Sequence, residues 1–401
     1  MRHFLTISLL LLTFTACAQR RHHFDAQYPD VHDPVMAQGE DGRYYVFSTG
    51  MGISVMSSSD LKTWQQEPGV FSVTAKMPDG KEFSSPGNAQ LPTWTTDSVR
   101  GFHGHMWAPD ISRHNGKWYL YYSCSTFGKN GSAIGVATNK TLDPKSPDFK
   151  WEDQGPVVVS HKHVDDWNAI DPNLASECKM EDGKWKVENG EYIPTGNSVL
   201  FWGSFWDGIQ MAPLRADLRT LAAKPVTIAR RYAPARNQKT ADPSIEIVGN
   251  DTVEAGENAI EAPFVISHDG WYYLFVSWDY CCRGKNSTYK TVYGRSRTLT
   301  GPYLDKNGKD MRQGGGTILV GPDDKFFGVG HCSAYELTMP DGTTRQWYFL
   351  SHAYDISKDG QSKLFLRKLE FDKDGWLSLT IKVGSINSLW QILDLFSRSK
   401  C

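Results

Sequence analysis

Acidic residues recur ahead of β-rich segments in this sequence. They are Asp33 in HDPV, Asp110 in WAPDI, Asp171 in NAIDPN and Glu261 in AIEAPF. The motif GVGHCSAY places His331 in the corresponding position ahead of a fifth segment. Four of these motifs carry Pro near the polar residue, which favours extended geometry and suits the start of a strand. If the segments are equivalent units, their heads would bring these side chains around one axis.

Carboxyl groups that converge in this way could hydrolyse a glycosidic bond. One carboxylic acid protonates the leaving oxygen, one carboxylate activates water or attacks carbon, and a third acidic group tunes and holds the first. We therefore predict that Asp33, Asp171 and Glu261 form a site. An Asp at a strand start can also close a turn by accepting backbone N–H groups, and for Asp110 we favour this interpretation. His331 could be a metal ligand, an orienting group or a structural residue.

The segments behind these heads form a unit that occurs five times. Each unit pairs an aromatic strand with a strand that contains a small residue and a polar turn, as in GRYYVFSTG followed by GISVMSSSDLKTW. Successive aromatic strands lie roughly 75 residues apart, which is enough for a four-stranded antiparallel blade with its loops. Units that cannot bury their faces alone predict an all-β fold, a five-bladed β-propeller whose inner strands line a channel. A β-sandwich is the alternative, but it would not explain the recurring strand pair.

No linker or change of composition divides the chain, so we predict one propeller domain over residues 24–380. Residues 1–20 are typical of a secretory signal peptide, because Arg2 precedes an apolar run that is too short to span a bilayer. Cys17 suits lipid attachment after cleavage, and ordinary signal cleavage is the alternative. The tail 381–401 does not continue the repeat and is not assigned. The strand that closes the ring is therefore left open.

Composition argues against some partners. The 401 residues carry a net charge of −2, without long charge runs, which argues against nucleic acid and against electrostatic docking on a membrane. The 14 Trp, 17 Tyr and 19 Phe predict a large aromatic core, and the alternative is that some of them line a sugar-binding cleft. Cys281 and Cys282 are adjacent. We predict two buried thiols rather than a disulfide there, because neighbouring cysteines fit disulfide geometry badly.

The chain resembles family 43 glycoside hydrolases, and within them the endo-1,5-α-L-arabinanases, over nearly all of the predicted domain. The resemblance rests on six motifs in this order: HDPV, HMWAPDI, NAIDPN, GSFWDGIQ, EAPFVISHDGWYYLFVSWDYCCRG and GVGHCS. The CCRG run followed by STYK is more similar to arabinanases than to the β-xylosidases of the same family. The resemblance implies a five-bladed propeller that hydrolyses its substrate with inversion of the anomeric centre.

The resemblance also implies roles for the matched residues. Asp33 would be the general base and Glu261 the general acid, while Asp171 would orient the acid and modulate its pKa. His331 matches a histidine that helps to hold a calcium ion and its waters. The expected substrate-binding positions, with Trp107 and Phe127 as stacking surfaces, are Trp107, Phe127, Gly128, Asn168, Ser204 and Phe205.

The predicted function is hydrolysis of internal α-1,5-L-arabinofuranosidic bonds in arabinan, including pectin side chains. We expect a monomer exported to the periplasm, to the outer membrane as a lipoprotein, or to the medium. The alternatives are an exo-acting α-L-arabinofuranosidase or β-xylosidase with the same three acids, and a non-catalytic glycan-binding propeller. The last alternative predicts that one acid is lost, yet all three are present. An insertion at 177–197 is expected to lengthen blade three and to reshape one wall of the cleft.

Overall fold

The computed structural model describes residues 24–76, 82–188, 191–232, 258–339 and 341–380. The predicted signal peptide with Cys17 and the tail 381–401 lie outside the described residues. Within those ranges no helix combines the length and the hydropathy needed to cross a membrane.

The chain folds into a five-bladed β-propeller, as predicted, with the first strand of each blade lining the central channel. Blade one consists of Val35–Gln38, Tyr44–Ser48, Ser54–Ser58 and Trp64–Glu67. Blade two consists of His105–His114, Lys117–Cys124, Ser132–Asn139 and Glu152–Ser160, with Gly50–Met51 added at its inner edge. Blade three consists of Asn173–Cys178, Pro194–Trp202, Ile209–Leu214 and Val226–Ala229.

The last two blades share one continuous sheet. Blade four consists of Ile260–His268, Trp271–Trp278, Lys290–Ser296 and Thr317–Val320. Blade five consists of Phe326–Thr338, Arg345–Asp355, Gln361–Phe371 and Leu377–Leu379. The strands outside the blades are Gly69–Lys76, Glu82–Ser85, Gly87–Gln90, Met180–Glu181, Lys184–Trp185, Val187–Glu188 and Glu191–Tyr192. The helical elements are the α-helix Thr93–Ser98 and the 3₁₀ turns Gly284–Asn286, Met311–Gln313 and Ile356–Lys358.

Short turns in the sequence set the inner hairpins. Asn115 and Gly116 join the first two strands of blade two with φ values of 50° and 75°, and Asp269 and Gly270 do the same in blade four with 46° and 77°. A two-residue hairpin with both φ values positive is a type I′ turn, which Asn-Gly and Asp-Gly favour because Gly adopts left-handed φ without a steric cost. These dipeptides therefore fix the register of the inner strands.

The aromatic strands are buried on both faces, because each blade packs against two neighbours. Every residue of Tyr44–Ser48 is buried, and so is every residue of Trp271–Trp278 after the first. Aromatic and β-branched side chains suit such pleated surfaces. The largest fully buried side chains in the described ranges are aromatic, among them Trp202, Tyr121 and Phe47, so the predicted aromatic core is confirmed.

The start of the described chain closes the ring. Asp30 forms a β-bridge with Lys363 in the third strand of blade five, and Leu364 N–H donates to the carbonyl of Pro29. The buried Lys363 ammonium also pairs with Asp30 Oδ1 at 2.6 Å. The closing segment, which the sequence left open, is thus the stretch just before HDPV. As a result Asp33 is held next to blade five.

The insertion 177–197 packs at the end of the blades that is remote from the acidic residues. The Trp185 ring packs on the Tyr272 ring at a tilt, with centroids 4.7 Å apart, and Tyr192 Oη accepts the backbone N–H of Asp269 at 2.8 Å. Asp269 follows Glu261 by eight positions, roughly 25 Å along an extended strand. The prediction that this insertion forms a cleft wall is therefore wrong.

Candidate active site

Near the start of each inner strand one residue has a left-handed φ, and we call it the head residue of the blade. The head residues are Asp33, Ala108, Asp171, Ala262 and His331, with φ values between 43° and 58°. In blades two, four and five the register shifts at this point, because a β-bulge places two residues of the inner strand opposite one residue of its neighbour. Bulges re-aim side chains, and a positive φ is tolerated best by Asp, Asn, His and Gly.

This alignment corrects the placement made from the sequence. In blade two the position equivalent to Asp33 is Ala108, so Asp110 does not reach the ring of heads. In blade four the equivalent position is Ala262, and Glu261 lies one residue before it. Asp110 is instead buried between blades. It accepts Asn173 Nδ2–H and the N–H of Leu174, so its role is structural, but it joins two blades and does not close a turn as predicted.

Hydrogen bonds join the head residues to the preceding blade. Four of the five backbone N–H groups donate to a side chain at one equivalent position, on or just after the second strand of that blade. The donor and acceptor pairs are Asp33 with His352, Ala108 with Thr49, Asp171 with Ser123 and His331 with Ser277, at 2.8–3.2 Å. The N–H of Ala262 donates to Asp171 Oδ2 at 3.1 Å instead. A hydrogen bond at the head residue therefore joins every blade to the blade before it.

Asp33 lies at the centre of a polar cluster. Its Oδ1 faces three imidazole nitrogens, Nδ1 of His32 at 2.9 Å, of His331 at 3.1 Å and of His352 at 3.4 Å. Its Oδ2 accepts the hydroxyl of Thr49 at 2.5 Å. Burial alone would raise the pKa of Asp33, but the charges and hydrogen bonds of His32 and His331 outweigh it and hold this pKa well below its ordinary value. Asp33 is thus kept ionised, as a base must be.

The two buried histidines next to Asp33 differ in charge. Burial opposes the charged form of His331, yet the carboxylates of Asp33 and Asp171 raise its pKa to about 9. Burial, together with the charge of His32, lowers the pKa of His352 to about 3. His331 is therefore a cation that neutralises Asp33, while neutral His352 accepts the Asp33 N–H through Nδ1.

Glu261 is fixed by two hydroxyl groups. Ser204 Oγ donates to Oε2 at 2.8 Å, and Tyr289 Oη donates to Oε1 at 2.6 Å. Burial and the charge of Glu261 raise the pKa of Tyr289 far above its ordinary value, so its hydroxyl stays a donor. The Tyr289 ring stacks on His352 with centroids 5.8 Å apart. Through these two rings Glu261 and Asp33 belong to one packed cluster.

Asp171 completes the trio between blades three and four. Burial raises its pKa well above the ordinary value, and the charges of Glu261 and Asp33 add to this shift while His331 opposes it. The predicted convergence of Asp33, Asp171 and Glu261 is therefore what the structure has. Asp171 is fixed by a backbone N–H and Glu261 by two hydroxyl groups, while Asp33 is held by histidines and by the Thr49 hydroxyl.

The other expected residues differ in their surroundings. Ser204 contacts Glu261, and Phe205 beside it packs on Tyr280 with ring centroids 5.9 Å apart. Trp107 is half-buried, and its Nε1–H donates to His105. Phe127 is 52% exposed, and Gly128 follows it with φ of 75°. Asn168 is buried, and among the described residues its Oδ1 has no hydrogen-bond partner. Their role in substrate binding stays a prediction.

Several residues of the site were not found from the sequence. They are His32, Thr49, Tyr289, His352 and Tyr354. His32 belongs to the motif that contains Asp33. His352 and Tyr354 lie on the second strand of blade five, Thr49 follows the second strand of blade one, and Tyr289 precedes the third strand of blade four. Nothing in their local sequence separates them from core residues, because their partners lie on other strands.

The nearest potential metal ligands form a nitrogen-rich set. Ligand atoms of His32, Asp33 and His352 lie within 4.8 Å of one another, whereas Nδ1 of His331 is paired with Asp33. Calcium prefers about six to eight oxygen ligands. The described side chains here supply a single carboxylate, so they do not by themselves form a calcium site. Calcium at His331 stays a prediction.

The structure corrects the prediction made for the two adjacent cysteines. Cys281 and Cys282 form a disulfide, and neither is buried, so the prediction of two buried thiols is wrong. The pair lies on a loop between the second and third strands of blade four. The backbone N–H of Cys282 donates to Tyr354 Oη of blade five at 2.7 Å, a contact that the spacing of the cysteines in the sequence does not predict.

Comparison with known proteins agrees with this geometry. The profile of glycosyl hydrolases family 43 matches residues 28–377. The extracellular exo-α-(1→5)-L-arabinofuranosidase ArbA of Cellvibrio japonicus is 40% identical over 351 residues, 88% of this chain and 86% of that protein. The extracellular endo-α-(1→5)-L-arabinanase 1 of Bacillus subtilis is 33% identical over 382 residues, 94% and 96% of the two chains.

A solved structure of an arabinanase is also similar to this chain. The exo-1,5-α-L-arabinanase from a bovine ruminal metagenomic library superposes with a TM-score of 0.72 at 50% identity, covering 90% of this chain and all of that one. Profile, relatives and fold span nearly the whole of the described chain. The chain belongs to glycosyl hydrolases family 43.

Proposed function

We propose that this protein hydrolyses the α-1,5-L-arabinofuranosidic bonds of arabinan with inversion of configuration. The observation that carries the proposal is the pairing of an ionised Asp33 with a hydroxyl-fixed Glu261 in one cluster at the mouth of the channel. An inverting glycosidase needs one carboxylate that activates water and one carboxylic acid that protonates the leaving oxygen.

The proposed reaction is a single displacement. Asp33 removes a proton from water, whose oxygen attacks the anomeric carbon. The bond to the leaving sugar breaks, and the proton of Glu261 moves to the leaving oxygen. The cation of His331 balances the charge of Asp33, and Asp171 holds the backbone next to Glu261.

The substrate class is supported by the relatives, which are named for arabinan or its α-1,5-linked arabinofuranose units. Endo attack is the mode that the motifs predicted. Exo attack is a second candidate, favoured by the higher identity to two proteins named exo-acting, 50% and 40%, against 33% for an endo-acting one. Both modes use the same three acids.

Export and calcium belong to the proposal as well. Two relatives are named extracellular, which supports export of this chain. A calcium ion near His331 would take most of its coordination from water, since the described side chains offer no oxygen cage, and His331 would have to lose its proton to act as a ligand. No step of the reaction above depends on it.

The test is the product pattern from debranched arabinan followed by the configuration of the first product. Mixed oligosaccharides early in the reaction would identify endo action, and one short product from the start would identify exo action. Proton NMR before mutarotation should show a β anomer. An α anomer would overturn inversion. No hydrolysis of arabinan, with Asp33→Asn as the matched blank, would overturn the proposed function.

A further inference from the structure

The disulfide between Cys281 and Cys282 lies directly on the cluster around Asp33. The backbone N–H of Cys282 donates to Tyr354 Oη at 2.7 Å, and Cys282 Sγ lies 4.0 Å from His32 Nε2. Tyr354 Oη is in turn 2.8 Å from the same His32 nitrogen. Blade four thus reaches, through this loop, two side chains that surround the proposed base.

These contacts form a continuous chain of hydrogen bonds. Cys282 N–H donates to Tyr354 Oη, Tyr354 Oη meets His32 Nε2, and His32 Nδ1 lies 2.9 Å from Asp33 Oδ1. With a proton on Nδ1, His32 donates to Asp33 Oδ1. At Nε2, neutral His32 accepts from Tyr354 Oη and charged His32 donates to it, so the chain stays connected in both states. The hydrogen bond at one ring nitrogen of a histidine fixes its orientation and sets which nitrogen carries the proton, and Tyr354 makes that bond to His32.

The disulfide is what keeps the first link of this chain in place. Cys282 has a φ of 66°, a conformation that costs about 1–2 kcal/mol for a residue with a Cβ. A disulfide between adjacent residues closes a small ring, and this ring limits the conformations that the peptide between them can adopt. Without it the Cys282 N–H would be free to turn away from Tyr354.

We propose that the Cys281–Cys282 disulfide is a positioning device for Asp33, acting through Tyr354 and His32. The proposal rests on the proposed function, in which Asp33 is the base. Its consequence is that a dithiol reductant lowers turnover. The reductant gives two electrons and two protons to the S–S bond, which becomes two thiols, while the reductant closes to a cyclic disulfide.

The pair is accessible to such a reductant. Cys282 is exposed and Cys281 is half-buried, whereas the free cysteines that the structure describes, Cys124, Cys178 and Cys332, are buried. The oxidised state can be verified by mass spectrometry of the peptide that ends at Arg283, which should be lighter by two hydrogens than after reduction.

The first experiment compares kcat and KM on arabinan before and after dithiothreitol. We expect kcat to fall about 3- to 10-fold, the size of one lost hydrogen bond, with KM nearly unchanged, and to recover on reoxidation. The double variant Cys281→Ser with Cys282→Ser should resemble the reduced enzyme and should not respond to dithiothreitol. The melting temperature of the reduced wild type shows whether the fold persists under assay conditions.

Tyr354→Phe gives the decisive control, because it breaks the chain at its second link. If the disulfide acts through Tyr354, reduction of this variant should change kcat by less than about twofold. Independent losses from reduction and from Tyr354→Phe would overturn the proposal. So would an unchanged kcat of the reduced wild type, or a loss confined to KM. An oxidised wild type without activity on arabinan would refute the proposed function, a result distinct from these.

Discussion

Asp171 Oδ2 accepts the backbone N–H of Ala262 at 3.1 Å and so holds the residue next to Glu261. At the other four blade junctions the acceptor is a side chain on or just after the second strand. In blade three that position is Gly203, whose φ is 126° and whose added Cβ would lie 2.6 Å from the carbonyl oxygen of Gly208. No hydroxyl side chain fits there, so Asp171 takes over the missing acceptor.

The first prediction separates this acceptor role from the charge of Asp171. Asp171→Asn keeps an oxygen that can accept the Ala262 N–H, whereas Asp171→Ala leaves that buried N–H without a partner at a cost of about 1–3 kcal/mol. We expect kcat of the Ala variant to be at least about 10-fold below that of the Asn variant. Equal kcat values for the two variants would show that the charge, not the hydrogen bond, is what matters.

The second prediction concerns the division of labour between Asp33 and Glu261. Asp33→Ala should lose activity about 10²- to 10⁴-fold on every substrate, because water stays unactivated. Glu261→Ala should lose hydrolysis of arabinan but keep turnover of an aryl arabinoside, whose leaving group needs little protonation. The measurement is kcat on both substrates for both variants. Parallel losses on the two substrates would contradict the assignment of base and acid.

The third prediction identifies Thr49 as a positioning residue. Its hydroxyl accepts the Ala108 N–H and donates its one proton to Asp33 Oδ2. Thr49→Val is nearly isosteric and removes both bonds. Because hydrogen bonds to charged groups contribute about 1.5–3 kcal/mol, kcat should fall about 10- to 100-fold.

The matched control for Thr49 is Thr49→Ser, which keeps the hydroxyl. It should retain most of the wild-type kcat, and the KM of both variants should stay close to that of the wild type, since Thr49 acts through Asp33. A Val variant with normal kcat, or a Ser variant as slow as the Val variant, would refute the role.

The fourth prediction is a pH dependence of stability that comes from Asp110. Burial raises the pKa of Asp110 from 3.8 to about 7, although the hydrogen bonds from Leu174 and Asn173 act in the opposite direction. The folded protein therefore binds this proton more tightly than the unfolded chain does. Between about pH 4 and pH 7 unfolding releases the proton, so stability falls as the pH rises through this window.

Asp110→Asn tests this dependence, because an amide has no such titration. Its amide group cannot accept both hydrogen bonds, so the variant should be less stable than the wild type at pH 5. The gap should narrow by at least about 1 kcal/mol, or roughly 2–4 °C in melting temperature, on going to pH 8. A gap that is the same at both pH values would contradict the prediction.

Much of the fold could be predicted, because short-range sequence patterns determine its turns and strands. The Asn-Gly and Asp-Gly turns fix two-residue hairpins, and recurring aromatic strands indicate equivalent blades. The heads with Asp33, Asp171 and Glu261 could be found for the same reason, since equivalent blades place equivalent positions around one axis. The head of blade two was assigned to Asp110, although Ala108, two residues earlier, occupies that position. A nearby Pro is the one sequence feature that accompanies the head, and it does not fix the exact residue.

What only the tertiary structure decided is which groups from distant strands surround each acid. The sequence by itself determined five repeated strand pairs, their polar heads and the family resemblance, since these depend on short-range order. His352 contacts Asp33 across a blade junction, Thr49 joins Asp33 of its own blade to Ala108 of the next, and Tyr289 contacts Glu261 within blade four. The pairing of Pro29 with Leu364, which closes the ring, joins opposite ends of the described chain. Such contacts depend on how blades twist and pack, and a side chain becomes a partner only when a distant strand brings an acceptor or donor to it.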